Sequence, residues 1–195
     1  MDIATRITLG ALLAGWFSFG VLFLLRRRSR ERGTTARRSS AGLVGLFIQG
    51  LGFAMAWLRR PDQGRLGAEP SNADFVLTFV VVALLATSIS LALAAVRTLG
   101  KQWALDARVL EKHALITSGP YSIVRHPIYT AMGGMLLATG LAVSPWWALV
   151  LGLAVFVTGT LIRTRAEEAL LRTTFGAEYE AYRARVPALL PWPRG

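Results

Sequence analysis

"IYTAMGGMLLATGLAVSPWWALVLGLAVFVTGTLI" (residues 128–162) decides how this chain is built. It holds two apolar runs, 128–143 and 146–162, of 16 and 17 residues, without a charged side chain and with only Ser144-Pro145 between them. A helix needs about 20 residues to cross the hydrocarbon core of a bilayer, with a range of about 17–25. Each run alone is at the short end, and a buried soluble hairpin is the competing reading. Together they predict a tight helical hairpin, with Pro145 near the start of its second helix.

Working outward, three further apolar runs settle the setting. Residues 7–25, 41–58 and 75–96 are 19, 18 and 22 residues long and uncharged. The expected fold class is therefore all-α: a polytopic membrane protein of five transmembrane helices, the last two a hairpin. The chain of 195 residues reads as one integral-membrane domain, residues 1–96 a three-helix scaffold and 97–195 a connector, hairpin and tail.

Composition agrees. The chain is 53% hydrophobic yet carries a formal charge of +11. A soluble nucleic-acid binder is as basic, but its arginines are not parted by long apolar runs, so no nucleic-acid partner is expected. No cysteine is present, which excludes disulfides, thiolate metal sites and cysteine nucleophiles, and two histidines, His113 and His126, are too few for a histidine-rich metal site. No metal is expected.

With the N-terminus outside, the inner segments 26–40, 97–127 and 163–195 hold 18 of the 22 basic residues, and Arg6, Arg59, Arg60 and Arg65 fall outside. That asymmetry predicts a cytoplasmic C-terminus in the bacterial inner membrane. The cluster "RRRSRERGTTARR" (residues 26–38) marks the first span as a retained anchor. As a topology determinant it needs no further role, although anionic headgroups also suit it.

Within residues 1–96 the glycines Gly10, Gly15, Gly42, Gly45, Gly50 and Gly52 read as close helix-packing sites. Gln49 is the lone amide of these spans and is expected to hydrogen-bond a neighbouring helix. Chemistry concentrates after residue 97. "GPYSIVRHPIY" (residues 119–129) combines a turn at Gly119-Pro120, two tyrosines, and Arg125-His126 before a helix start at Pro127. Open backbone N–H groups at that start suit a ligand carboxylate or ribose oxygens. An interfacial belt of Tyr, Arg and His anchoring a helix end explains the same residues taken singly.

Past the hairpin, Arg163 and Glu167 stand four apart and share a helix face, and Glu168 follows. A solvated surface bridge is the bland account. Ionisable residues at the inner edge of a membrane bundle more often face its interior and mark a functional site. Phe175-Gly176 reads as a helix stop, and a second amphipathic helix covers about 177–185 before Val186-Pro187 ends it. The apolar "ALLPWP" is expected to dock on the membrane surface.

"HALITSGPYSIVRHPIY", then a hairpin, then "RTRAEEALLRTTFGAEYEAYRARVPALLP" closely resembles isoprenylcysteine carboxyl methyltransferases and their bacterial relatives, a group that includes phospholipid N-methyltransferases. The resemblance covers residues 113–191. It implies a membrane enzyme that uses S-adenosylmethionine without a Rossmann fold, the cofactor lying between connector, hairpin and tail. Carried over, His113, Leu115, Gly119, Pro120, Tyr121, His126 and Tyr129 line the cofactor pocket. Glu167 stands where cofactor and acceptor meet, and Arg163 orients an acceptor carboxylate. Arg125, Glu168, Tyr179 and Tyr182 fall at motif positions that packing suits equally.

A lipidic or small-molecule acceptor is implied, with membrane lipids as surroundings; carboxylate, phospholipid amine and thiol acceptors all stay open. Membrane sterol reductases share a similar last hairpin and bind NADPH, but their pattern has asparagine in place of Ile128 and an Asp-Glu pair in place of Glu167-Glu168. A non-enzymatic scaffold is the remaining class.

Overall fold

The computed structural model describes residues 2–28, 35–38, 40–59, 71–100, 108–110 and 114–192. His113, much of the basic cluster after the first span, and part of the connector lie outside them.

Among the described residues there are six α-helices: α1 (Ile3–Arg28), α2 (Ser40–Ala56), α3 (Asn72–Leu99), α4 (Pro127–Val143), α5 (Trp146–Phe175) and α6 (Ala177–Arg185). A short two-stranded antiparallel ribbon, β1 (Thr35–Arg38) with β2 (Arg108–Leu110), accompanies the helices and leaves the all-α class unchanged. A single turn of 3-10 helix spans Gly119–Ser122.

Among the described residues three helices, α1, α3 and α5, are long and apolar enough to cross a membrane, whereas α2 and α4 are shorter apolar helices. The proline and glycine punctuation acts as anticipated. Pro127 opens α4, Pro145 caps α5, and Gly176 closes α5 at φ +51°, a backbone conformation that side chains with a Cβ rarely adopt. Helix α5 runs well past its apolar stretch; its 30 residues span about 45 Å, so its last turns project beyond a hydrocarbon core of about 30 Å.

Contacts fix the helix directions. Thr8 meets Thr78 (2.8 Å) and Gly15 meets Leu85, so α1 and α3 run parallel. Ser88 faces Gly134 while Thr98 faces Gly119, so α4 returns antiparallel to α3. Leu149 packs on Gly140 and Phe156 on Gly133, which makes α5 antiparallel to α4. Gly45 meets Gly159 and Gly52 meets Gly152, which makes α2 antiparallel to α5. Direction therefore alternates along the chain from α1 to α5.

Two heptad-spaced glycine pairs form the α2–α5 seam. A Cβ on Gly45 would lie 2.5 Å from Arg163 Cγ and 2.7 Å from the Gly159 carbonyl; on Gly52 it would lie 2.7 Å from the Gly152 carbonyl. Small residues are what let helix backbones approach this closely inside a bilayer. Gly10 and Gly50 are different, since nothing lies within 4 Å of a Cβ built there, so they are not packing sites among the described residues. The main apolar core is shared by α1, α3 and α4 around Leu12, Phe19, Leu85 and Met135. Large side chains such as Phe17, Phe47 and Phe79 face outward, as lipid-facing residues do. Trp57, Trp146 and Trp147 are exposed at one end of the bundle, an interfacial position for tryptophan. The polar residues gather at the other end.

Candidate active site

The antiparallel run of α4 and α5 brings the start of one against the projecting end of the other. His126 caps α4 and Tyr129 occupies its first turn; on α5, Glu167 and its neighbour Glu168 lie one turn after Arg163. Arg163 and Glu167 share a face, so both reach the α4 start.

The Tyr129 hydroxyl donates to Glu167 Oε1, and Glu167 Oε2 lies 3.5 Å from His126 Nδ1. The other ring nitrogen, Nε2, is 3.1 Å from Glu168 Oε1. His126 stacks on Tyr129 with ring centres 5.7 Å apart, and the Arg163 guanidinium lies 4.8 Å from the Tyr129 ring centre. A cation over an aromatic face is stabilised by the ring quadrupole. Burial pushes the His126 imidazole down, but the hydrogen bonds and charges of Glu167 and Glu168 outweigh it and hold its pKa above the ordinary 6.5. An imidazolium donating from both nitrogens is the form this geometry suits.

The two glutamates differ in surroundings. Glu168 is 12% exposed and is gripped by Arg125 through Nε (3.1 Å) and Nη2 (2.7 Å). Arg125 Nη1 also donates to the carbonyls of Arg183 and Val186, so this pair ties the tail to α5. Glu167 is 26% exposed, about twice as open as Glu168.

The tail closes one wall. The Arg125 and His126 amides donate to the carbonyls of Pro187 (2.8 Å) and Ala188 (3.0 Å), and Thr130 Oγ1 donates to the Leu189 carbonyl (2.6 Å). This narrows the open donors expected at the α4 start: the tail takes that of the cap residue His126, Pro127 has none, and Tyr129 N–H bonds the His126 carbonyl. The apolar tail thus docks first on the protein, leaving Leu190 and Trp192 exposed.

The remaining expected positions divide into two groups. Gly119, at φ +58°, has Thr98 Oγ1 only 3.0 Å from where a Cβ would stand, so it presses the Gly119-Pro120 turn onto α3. Tyr121 is buried there, and burial raises its phenol far above the usual range. Its carbonyl accepts the Tyr182 hydroxyl at 2.7 Å. Leu115 packs with Tyr179, Tyr182 and Val186. Burial likewise lifts the Tyr182 phenol to about 12, so it stays a neutral donor. Arg125, Glu168, Tyr179 and Tyr182 therefore build the wall, while His126, Tyr129, Arg163 and Glu167 meet in one cluster. Sequence reasoning did not foresee that Gln49 reaches the site, nor that Thr160 holds the other end of its amide: Gln49 Nε2 donates to Thr160 Oγ1 (2.8 Å) and its Oε1 accepts from Arg163 Nη1 (2.9 Å).

Fold and site together define an integral-membrane protein with an acid–tyrosine–histidine–arginine cluster at the polar end of its bundle. The sequence profile of the phospholipid methyltransferase family matches residues 76–178, just over half of the chain, and the protein belongs to that family. The match runs from α3 through α5 into α6 and so contains the whole cluster. Among curated relatives, the protein-S-isoprenylcysteine O-methyltransferase of Schizosaccharomyces pombe is 35% identical over 79 residues, 40% of this chain and 34% of that protein. The cobalt-zinc-cadmium resistance protein CzcN of Cupriavidus metallidurans is 35% identical over 100 residues, 48% of this chain and 44% of that protein. The chain thus matches less than half the length of either relative.

Proposed function

We propose that the protein is an S-adenosylmethionine-dependent methyltransferase that works at the cytoplasmic face of a bacterial inner membrane, its five apolar helices all crossing the bilayer. The observation that carries this reading is the Glu167–Tyr129–His126 contact set beside Arg163, inside the segment the family profile covers. Family membership and the name of the fission-yeast relative support methyl transfer as the reaction.

The residues present suit this cofactor. Glu167 offers a partly open carboxylate next to aromatic rings, a setting that favours a cationic sulfonium ligand. When bound, the cofactor supplies an activated methyl group on a sulfonium sulfur. The protein's part is alignment, which can be worth about 7–11 kcal/mol in reactions of this kind. Tyr129 and His126 fix the Glu167 carboxylate, so that its charge faces the ligand without reorganising. The turn at Gly119-Pro120 and the tail at Pro187–Leu189 wall the site from bulk water.

The acceptor is lipidic or small and reaches the site from the membrane. In the first reading it is a carboxylate, held by Arg163 and in need of no base; the name of the yeast relative supports this. In the second it is a phospholipid amine, as the family name suggests, and Glu167 takes the proton that the neutral amine loses on methylation. A thiol acceptor is the third. Calorimetry with purified protein decides the cofactor: saturable S-adenosylmethionine binding is expected, its absence rejects the reading, and saturable NADPH binding would favour a reductase. Labelled cofactor incubated with membranes then identifies the acceptor by the product that carries the methyl group.

A further inference from the structure

His126 is bracketed by two carboxylates of α5, one at each ring nitrogen. Glu167 Oε2 lies 3.5 Å from Nδ1, and Glu168 Oε1 lies 3.1 Å from Nε2. The other partners of these carboxylates differ. Glu168 is gripped by the Arg125 guanidinium at 2.7 Å, and Arg183 Nε stands 3.6 Å from its second oxygen, so it stays ionised whatever reaches the site. Glu167 takes the Tyr129 hydroxyl, a neutral donor, on its other oxygen. The Nε2 proton therefore faces a pinned anion, and the Nδ1 proton an anion whose charge a ligand can share.

The ring is held where it stands. The His126 amide donates to the Ala188 carbonyl at 3.0 Å, and the imidazole stacks on Tyr129 with its side chain 6% exposed. A cation arriving at Glu167 meets a ring that cannot turn away, and a like charge brought close disfavours the protonated form. The other charges around the ring are guanidiniums, which do not titrate: Arg125 beside it, Arg163 over Tyr129 and Arg183 behind Glu168. The phenols of Tyr121, Tyr129, Tyr179 and Tyr182 titrate far above neutral pH, and the tail segment 186–191 carries no ionisable side chain. His126 is the group here whose ordinary titration lies near neutral pH.

We propose that His126 is a selectivity-determining residue: it releases its Nδ1 proton to solvent when a sulfonium pairs with Glu167 and recovers one when the methyl group has left, so that the site tells the charged cofactor from its uncharged-sulfur product. The inference rests on the methyltransferase reading above and adds how product is told from cofactor. Transfer leaves a thioether beside Glu167, the bonding pair staying on sulfur, and the carboxylate draws a proton from solvent back to Nδ1. Throughout, Glu168 keeps the Nε2 proton and Tyr129 keeps the other Glu167 oxygen. Cofactor affinity therefore rises with pH through the His126 titration, because binding no longer has to expel a proton, whereas product affinity stays level.

The chain has two histidines, so nitrogen NMR of the purified full chain labelled at histidine, in detergent micelles, reads His126 directly, with His113→Gln separating the two sets of signals. The titration is followed without ligand, with saturating S-adenosylmethionine and with saturating S-adenosylhomocysteine. S-adenosylmethionine is expected to lower the His126 midpoint by about one pH unit or more from a ligand-free value above 6.5, with Nδ1 losing the proton, while S-adenosylhomocysteine leaves it in place. Calorimetry in phosphate and in Tris then counts the protons released on binding. More release is expected in wild type than in His126→Asn, the ligand's own amino group contributing alike to both, and affinity for S-adenosylmethionine should rise about tenfold across the titration in wild type alone. If His126→Asn does not fold, the wild-type NMR titration decides by itself. A His126 midpoint that S-adenosylmethionine leaves unmoved, or that both ligands move equally, overturns the proposal and leaves the methyltransferase reading standing. Absence of binding by either ligand rejects both.

Discussion

The Glu167 carboxylate stands 3.5 Å from His126 Nδ1, joining the projecting end of α5 to the cap of α4. Tyr129 donates to the other oxygen of the same carboxylate. One acidic side chain is thus held on both sides by residues of a single helical turn, and it still keeps about a quarter of its surface exposed.

Glu167→Ala should lower methyl transfer on the order of 100-fold or more, since it removes the preorganised charge at the site. Initial rates with labelled cofactor measure this, and an unchanged unfolding midpoint shows that the loss is chemical. Near-full activity would reject the role given to Glu167.

Tyr129→Phe keeps the ring beneath Arg163 and deletes only the hydroxyl that Glu167 accepts. A charge-assisted hydrogen bond is worth about 1.5–3 kcal/mol, so a rate loss of about tenfold or more is expected. Tyr129→Leu removes the ring as well and should fall further. If the two variants are equally active, the ring contributes nothing through Arg163.

Arg125→Ala leaves Glu168 buried without its main partner and frees the carbonyls of Arg183 and Val186. Breaking a buried pair from one side costs about 3 kcal/mol or more. The tail should detach, and limited proteolysis should cut within residues 186–190 much faster than in the wild type. Unchanged cleavage would show that the tail is held by its backbone bonds alone.

His126 supplies a pH signature. Its folded pKa is raised above 6.5, so the protonated imidazole contributes stability that is fully present below about 6.5. That contribution is lost as pH rises through the higher folded value. The unfolding midpoint should therefore decline as pH climbs above 6.5, and His126→Asn should flatten that part of the profile. A midpoint that rises over this interval in wild type would contradict the pairing.

Gly45→Ala should destabilise the α2–α5 seam by about 1–3 kcal/mol and displace Arg163, whereas Gly50→Ala, with open space around it, should leave the midpoint unchanged. Thermal unfolding of the two variants side by side separates them.

Much of this was legible in the chain itself. Uncharged runs gave all five helices, and Pro127, Pro145 and Gly176 marked their ends because each limits the backbone in a way that local sequence reveals. Helix α6 falls where Gly176 and Pro187 bracket it. The cluster of Tyr129, Arg163 and Glu167 could be named from its motifs. Its internal division could not, since Glu167 and Glu168 are adjacent and chemically alike. Only packing tells them apart: Arg125 reaches across from the α4 start to seize Glu168, and Glu167 is left to Tyr129 and His126. The glycines show the same limit, because whether Gly45 or Gly50 touches a neighbour depends on which way α2 is turned.

The sequence by itself determined that the chain is a bundle of apolar helices with its polar chemistry at one end, because burial and backbone preference act over a few residues at a time. Tertiary structure alone decided how the tail closes over the α4 start, and which helix supports Arg163. Those outcomes depend on contacts such as Gln49 with Arg163 and Arg125 with the Val186 carbonyl, between residues far apart in the chain. No local pattern encodes them; they follow from how closely two glycine-lined helices approach and from which buried polar groups then find partners.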